Sequence, residues 1–312
     1  TAWHLNKFIN PTTNGFVLPI LHINGYKISG PTIFGRMSDK ELKSLFIGYG
    51  YEPIFVKGPR IHEKMSEALE KARTQRLAIV EAVKAGQEVP RHPMIILQTP
   101  KGWTGIKTLH GNKIEGNALS HQVVVTAAKT DKEELKALEK WLRSYKFSEL
   151  FDPEKGFIQE IKDIIPERDE CIGNNRKCFG GKNVCVDLLL PKAEEYFAKS
   201  IERGVSLESS MQAAGSYLRD VIKLNDISKN FRFFSPDETY SNKLDAIFQA
   251  TSRSFQWPIM EWDKDLKPDG RVIEMLSVHS LQGLMQGYVL TGRHGVFASY
   301  EAFLQIIASM TD

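Results

Sequence analysis

The sequence has no run of about 18 apolar residues of the kind that spans a bilayer, and its opening Thr1-Ala2-Trp3-His4 lacks the charged and apolar blocks of a signal peptide. A membrane protein is therefore not expected, and a cytoplasmic location is. Charge of one sign is missing as well. Lysine and arginine number 41 against 38 aspartates and glutamates, and a net charge of +3 leaves no broad electrostatic face for nucleic acid or an anionic membrane. Any anion site must be local. Cysteine is scarce, with only Cys171, Cys178 and Cys185, spaced seven apart among glycines. A structural zinc site normally takes four ligands in tight pairs, and three cysteines cannot all pair within one chain. Free thiols in a reducing compartment are the expectation. Internal repeats and low-complexity tracts are absent too, which excludes solenoids and arrays.

What is present is an ordinary globular composition, 42% hydrophobic and 25% charged over 312 residues, enough for two cores. The chain starts without methionine and ends just after a helical pattern, so both ends are compatible with cuts in a longer polypeptide. Apolar, β-branched runs alternate with helical patterns, the signature of parallel α/β units. Strands are expected at Phe16 to Ile23, Pro53 to Val56, Met94 to Leu97 and Phe231 to Phe234. Ser38 with Glu41 reads as a capping box for a helix to about Gly48, and Thr130 with Glu133 as the cap of another ending near Tyr145. Further helices are expected from Ile61 to about Ala85, Ser209 to Leu224, Asn242 to Ala250 and Leu281 to Leu290.

Residues 1–150 thus form one α/β domain, 151–208 a polar connection with one apolar run at Val184 to Leu190, and 209–312 the opening of a second. In such folds ligands bind beyond the carboxyl ends of the strands. That rule directs attention to four turns. Asn24-Gly25-Tyr26 reads by itself as a common turn, although its oxygens could also serve Mg²⁺ as hard donors. Lys101 lies on a long glycine-punctuated loop leading to Ser120-His121-Gln122, suited to phosphate and sugar hydroxyls or merely to solvent. Ser235 to Thr239, followed by Ser241 and Lys243, reads either as a phosphate cradle or as a helix cap. Gly292 is expected just past a helix end, with Arg293 and His294 complementing the helix dipole or contacting substrate.

Taken together, these segments carry a resemblance. Trp3-His4-x-Asn6-Lys7-Phe8, Leu18 to Ile28, Thr99 to Thr104, Ser120 to Val123, Pro236 to Thr239 and Leu290 to Gly295 resemble phosphoketolase motifs, in the family's order and at similar spacing. The likeness is weakest at about 150–208 and 254–272. It implies a thiamine-diphosphate-binding, transketolase-like fold, incomplete at both ends. Residues 1–150 would be the later part of the diphosphate-binding domain and 209–312 the first part of the pyrimidine-binding domain. The implied reaction is phosphorolytic cleavage of xylulose 5-phosphate, or fructose 6-phosphate, to acetyl phosphate and an aldose phosphate. The implied cofactors are thiamine diphosphate and Mg²⁺, and the implied assembly is a homodimer with the cofactor between subunits.

Matched motif to motif, Asn24 and the Tyr26 carbonyl would ligate Mg²⁺, and Lys101, His121 and Gln122 would face cofactor and sugar. Ser241 and Lys243 would hold the substrate phosphate, and Tyr300 would lie beside the reacting carbons. Three departures stand out. The family's Gly-Asp-Gly metal motif belongs just before Thr1, and histidines from other parts of the family's chain are likewise not in this sequence. Lys243 replaces a customary arginine, keeping the charge but losing the planar fork. In Met275-Leu276-Ser277-Val278-His279, Val278 stands where the family has a glutamate that hydrogen-bonds the cofactor's aminopyrimidine, and valine can neither donate nor accept. An inactive paralogue serving as a binding or regulatory subunit is the second reading that Val278 raises, and a transketolase-type enzyme a third. A register that assigns the role to Glu274 conflicts with the flanking Leu276, Ser277 and His279.

Overall fold

Met94, Ile95 and Ile96 are fully buried in succession, the continuous apolar run of a parallel strand covered on both faces. The computed structural model describes residues 2–175, 186–198, 202–205 and 208–311, and places this run at the centre of a three-stranded sheet. The strands are β1 (Ile20–Ile23), β2 (Tyr51–Lys57) and β3 (His92–Gln98), all parallel in the order β1-β3-β2. Ile95 lies opposite Ile20 on one side and Ile54 on the other. Helix α1 (Asp39–Gly48) starts at the expected capping box, with the Ser38 side chain accepting from the Glu41 amide and the Glu41 carboxylate accepting from the Ser38 amide. It buries Leu42 and Phe46, and α2 (Ile61–Lys84) buries Ala68, Ala72 and Ile79.

The first strand is shorter than the sequence suggests. Residues 16–19 do not pair as strand, and Pro19 contributes only its carbonyl, to the Ile95 amide at 2.9 Å, as a residue without an N–H must. Beyond β3 come a hairpin of β4 (Thr108–Leu109) and β5 (Asn112–Lys113), helix α3 (Lys132–Arg143), a second hairpin of β6 (Phe151–Asp152) and β7 (Gly156–Phe157), and the short α4 (Gln159–Asp163). The cap of α3 is Asp131 rather than Thr130. Its carboxylate accepts from the Glu133 and Glu134 amides at 2.7 and 3.2 Å, while the Thr130 hydroxyl turns back to the Ala127 carbonyl. A carboxylate at a helix start gains from the dipole as well as the hydrogen bonds. These elements, residues 16–85 with 90–166, form one compact unit.

The other unit collects residues 1–15, 86–89 and 167–312 around a second parallel sheet. Its strands are β8 (Phe231–Ser235), β9 (Arg253–Ser254), β10 (Leu266–Lys267), β11 (Val272–Glu274) and β12 (His294–Phe297), in the order β10-β9-β11-β8-β12. Its helices are α5 (Ser210–Leu224), α6 (Val278–Leu290) and the short α7 (Leu304–Ala308). Alternation along β8 separates two cores, since successive side chains point to opposite faces. Phe231 and Phe233 pack with Val221, Ile222, Leu244 and Val272, while Phe234 packs with Ile273, Met275 and Leu281.

The amino-terminal residues are stitched to this unit. The Gln256 amide donates to the Lys7 carbonyl, the Asn10 side chain to Pro268, and the Ser254 hydroxyl to Phe8. Asn225 brackets Leu189 through both its backbone groups, and Asn230 holds Val186, so the described part of the apolar run at 184–190 lies along α5 and β8. Cys178, Cys185 and the start of that run lie outside the described residues. The helix expected from Asn242 to Ala250 is a five-residue 3-10 turn, Asp245–Gln249. Close packing explains it. A Cβ on Gly215 of α5 would sit 3.1 Å from the Leu244 Cα, and Lys243 takes a left-handed φ of 59°.

Candidate functional site

In the first sheet, the turns after β1 and β3 lie side by side because the two strands pair in register to Ile23 and Gln98. The Asn24 side-chain oxygen accepts from the Tyr26 amide at 3.0 Å, fixing a tight turn in which Gly25 has φ 85°. That turn is pinned from behind by Gly35, whose Cβ, were it present, would lie 2.5 Å from the Gly25 Cα. From the β3 side, the Lys101 ammonium donates to the carbonyls of Tyr26 and Lys27 at 3.2 and 3.0 Å. His22 and Thr99 share a hydrogen bond of 2.6 Å across the same strand ends. Sequence reasoning did not single out that pair.

A cleft of about 390 Å³ opens here, lined by Asn24, Gly25, Asp39, Lys57, Gln98 and Thr99 among others. Lys57 pairs with Asp39 and holds its carboxyl below the usual carboxylate range, against the opposing effect of burial and with help from Gln98. His121 ends a 3-10 turn, Ala118–His121, and Gln122 follows; both are exposed. Their segment is tied to the Lys101 loop at two points. Gly102, at φ 76°, lies so close to Ser120 that a Cβ would come within 2.6 Å of its side chain, and the Gly116 amide donates to the Lys101 carbonyl. Asn24, Tyr26, Lys101, His121 and Gln122 therefore all belong to one unit.

In the second sheet, β11, β8 and β12 are neighbours, so the segments after them share one carboxyl edge. After β8 come Ser241 and Lys243. Ser241 donates to the Glu238 carbonyl at 3.3 Å, Lys243 extends an exposed side chain, and the turn is closed by Ser235, which accepts from the Glu238 amide. The cap reading of Ser235 thus holds for a turn, not for a helix. After β12 comes half-exposed Tyr300, whose amide donates to the buried Glu238 carboxylate at 2.6 Å. Glu238 was visible in the sequence only as part of a motif, and nothing there signalled that it positions Tyr300.

After β11 comes Val278, the first residue of α6, capped by Ser277 through the Ser280 amide at 3.3 Å. The helix begins three residues earlier than the apolar period suggests, so Val278 sits half-buried at the strand-to-helix turn. Glu274, four residues before it, is buried and already accepts from Arg253 and from the Thr239 hydroxyl. Gly292, φ 87°, follows α6 as the sequence suggests, and Arg293 donates to Thr291 at the helix end.

Two parallel sheets covered by helices, with polar turns gathered at their carboxyl ends, define an α/β protein of transketolase-like fold. Solved structures agree on the fold. A transketolase from Pichia stipitis, the R525L mutant, matches with a TM-score of 0.52 at 14% identity over 98% of this chain and 42% of that one. A second structure from that organism, described as a complex with xylulose 5-phosphate, gives 0.51 at 14% over the same shares.

Sequence comparison is more specific. The model of the D-xylulose 5-phosphate/D-fructose 6-phosphate phosphoketolase amino-terminal domain matches residues 1–183, and that of the phosphoketolase domain itself residues 212–312. Proteins described as probable phosphoketolases from Bradyrhizobium diazoefficiens and Rhodopirellula baltica are each 45% identical over 99% of this chain. The chain belongs to the phosphoketolase family. It spans about 40% of the length of those relatives. No helix among the described residues is long and apolar enough to cross a membrane.

Proposed function

We propose that this chain is the central portion of a phosphoketolase that binds thiamine diphosphate and Mg²⁺ and acts on xylulose 5-phosphate or fructose 6-phosphate with inorganic phosphate to form acetyl phosphate. The observation that carries the reading is the Asn24-Gly25-Tyr26 turn at the carboxyl end of β1, in a chain of this family. Its oxygens suit a hard cation. The Asn24 oxygen and the Tyr26 carbonyl come from one pinned turn, and the Tyr26 and Lys27 carbonyls already accommodate the positive charge of Lys101. The metal and diphosphate end therefore fits the residues present.

Bound there, thiamine diphosphate would supply the carbon nucleophile and electron sink that carbon–carbon cleavage requires. The protein's own part is to hold and orient. Lys101 offers a point charge beside the diphosphate turn, and His121 and Gln122 present a proton-exchanging ring and an amide to sugar hydroxyls. Ser241 and Lys243 offer a hydroxyl and a cation to the substrate phosphate, and Tyr300 a phenol held in place through Glu238. A homodimer and a cytoplasmic location accompany this reading. The pyrimidine end does not fit. Val278 presents no polar atom where the family places its carboxylate, which favours a second reading as a catalytically impaired paralogue with a binding or regulatory role.

Acetyl phosphate formation from xylulose 5-phosphate and phosphate, assayed with the full-length protein, tests the first reading. Acetyl phosphate above the cofactor-free background supports it. Stoichiometric cofactor binding with no product supports the second, and neither binding nor product overturns both.

A further inference from the structure

Away from the turns described above, one histidine is surrounded by three carboxylates. His110 occupies the tip of the β4–β5 hairpin. Its Nε2 lies 3.4 Å from Asp131 Oδ2 and 3.5 Å from Glu134 Oε1, and its Nδ1 lies 3.3 Å from Glu133 Oε2. The ligand atoms of His110, Asp131 and Glu134 all fall within 4.8 Å of one another. We propose that His110, Asp131 and Glu134 form a binding site for a divalent transition-metal cation, Zn²⁺ being the natural occupant, with the fourth coordination position open to water.

Geometry supports this first. Zinc bonds of about 2.0–2.1 Å arranged tetrahedrally place neighbouring ligand atoms roughly 3.4 Å apart, and the two distances from Nε2 are 3.4 and 3.5 Å. Orientation supports it next. Each carboxylate is held by its other oxygen, with the converging one turned towards the imidazole. Asp131 Oδ1 accepts from the Glu133 and Glu134 amides, and Glu134 Oε2 accepts from the Ala127 amide at 2.6 Å. Glu133 lies 3.3 Å from the far ring nitrogen and accepts from the His110 amide at 3.2 Å, the side on which a carboxylate orients a metal-binding imidazole.

Charge supports it last. Three carboxylates, one of them with its side chain only 9% exposed, meet a single imidazole that carries at most one positive charge. The start of α3 adds only about half a charge. A divalent cation balances the remainder. One imidazole with two carboxylates suits zinc better than Mg²⁺ or Ca²⁺, which prefer all-oxygen sites. The cation would clip the hairpin to α3 and so restrain the loop that carries Lys101, His121 and Gln122.

The test is titration of the metal-stripped full chain with Co²⁺ and Zn²⁺. Expected are one equivalent of Co²⁺ with tetrahedral d–d absorption and no thiolate charge-transfer band, displaced by Zn²⁺, and a rise in melting temperature with Zn²⁺. Asp131→Asn keeps the helix cap but removes an anionic ligand, so it should fold normally and lose both signals. Glu133→Gln should weaken Zn²⁺ binding about 10- to 100-fold, as outer partners of metal-bound histidine do. Binding that shows a thiolate band, or that survives His110→Ala and Asp131→Asn unchanged, overturns the proposal. So does absence of binding to the unaltered chain, which leaves His110 as a charge-paired imidazole.

Discussion

Replacing Val278 by glutamate asks most directly whether this chain lacks cofactor activation. The position is the first residue of α6, half-buried, and no acidic side chain occupies that helix's first turn. A carboxylate there gains about 0.3–1 kcal/mol from the helix dipole, which offsets the loss of part of a valine's packing. The fold is therefore expected to tolerate the change, with a melting temperature close to that of the unaltered protein. Restoring a positioned acid–base group is worth about 10²- to 10⁴-fold, or about 2.7–5.5 kcal/mol in barrier. The assay is hydrogen–deuterium exchange at the reactive carbon of thiamine diphosphate bound to the full-length protein, quenched in acid and read by NMR. Exchange should be slow in the unaltered protein and accelerate by that factor in Val278→Glu. Rapid exchange in the unaltered protein refutes the reasoning, because the valine would then cost nothing. Equal, slow exchange in both, with cofactor bound, refutes the placement of the missing carboxylate.

Other outcomes follow from the same geometry. Asn24→Ala removes the acceptor of the Tyr26 amide and a hard oxygen. It should cost about 1 kcal/mol of stability and lower Mg²⁺-dependent cofactor affinity about tenfold or more, measured by chemical denaturation and calorimetric titration. Gly35→Ala drives a Cβ into the Gly25 backbone. An overpacking cost of about 1–3 kcal/mol in urea unfolding is expected, with weakened cofactor binding because the Asn24 turn must shift. Asp220 is held down to about 2 by hydrogen bonds from Arg219, against desolvation and with help from Tyr196. Its contribution to stability is therefore complete above about pH 4 and disappears as the pH falls towards 2. Asp220→Asn should flatten the pH dependence of stability in that window, and an unchanged slope would contradict the assignment.

The parts of this fold that could be read from sequence are those where one local rule dominates. The Ser38–Glu41 box, the apolar run at 94–97 and the Asn24-Gly25 turn each carry their signal within a few residues. What was illegible depends on partners distant in sequence. Residues 242–250 have a helical pattern, yet the approach of Gly215 compresses their backbone into a 3-10 turn. Thr130 and Asp131 are both good caps, and only the course of the preceding chain, with Thr130 turned back onto Ala127, selects the aspartate. The placement of residues 2–15 with β9 and β10 rests on hydrogen bonds spanning some 250 residues, which no local pattern encodes. For the candidate site, the family motifs named the residues but not their supports. Gly35 behind the Asn24-Gly25 turn, Glu238 behind Tyr300 and Ser120 against Gly102 become visible only when the loops are folded.

The same supports bear on whether another carboxylate takes over from Val278. Two are buried in this unit among the described residues, Glu238 and Glu274, both near the carboxyl edge of the sheet. Glu274 is bound by the Arg253 guanidinium and the Thr239 hydroxyl, and Arg253 is itself packed over the rings of Phe248 and Tyr240. Freeing it would leave the Arg253 guanidinium with Asp265 at 3.9 Å and the Lys264 carbonyl as polar partners, and would take the acceptor from the buried Thr239 hydroxyl. Glu238 is engaged by the Tyr300 amide, so turning it towards a cofactor would release the segment that presents Tyr300. Each acid is thus already engaged where it stands. On the proposed reading of position 278, neither acid is free to replace the missing carboxylate, so Val278→Glu rather than a change at Glu238 or Glu274 is the variant expected to raise exchange.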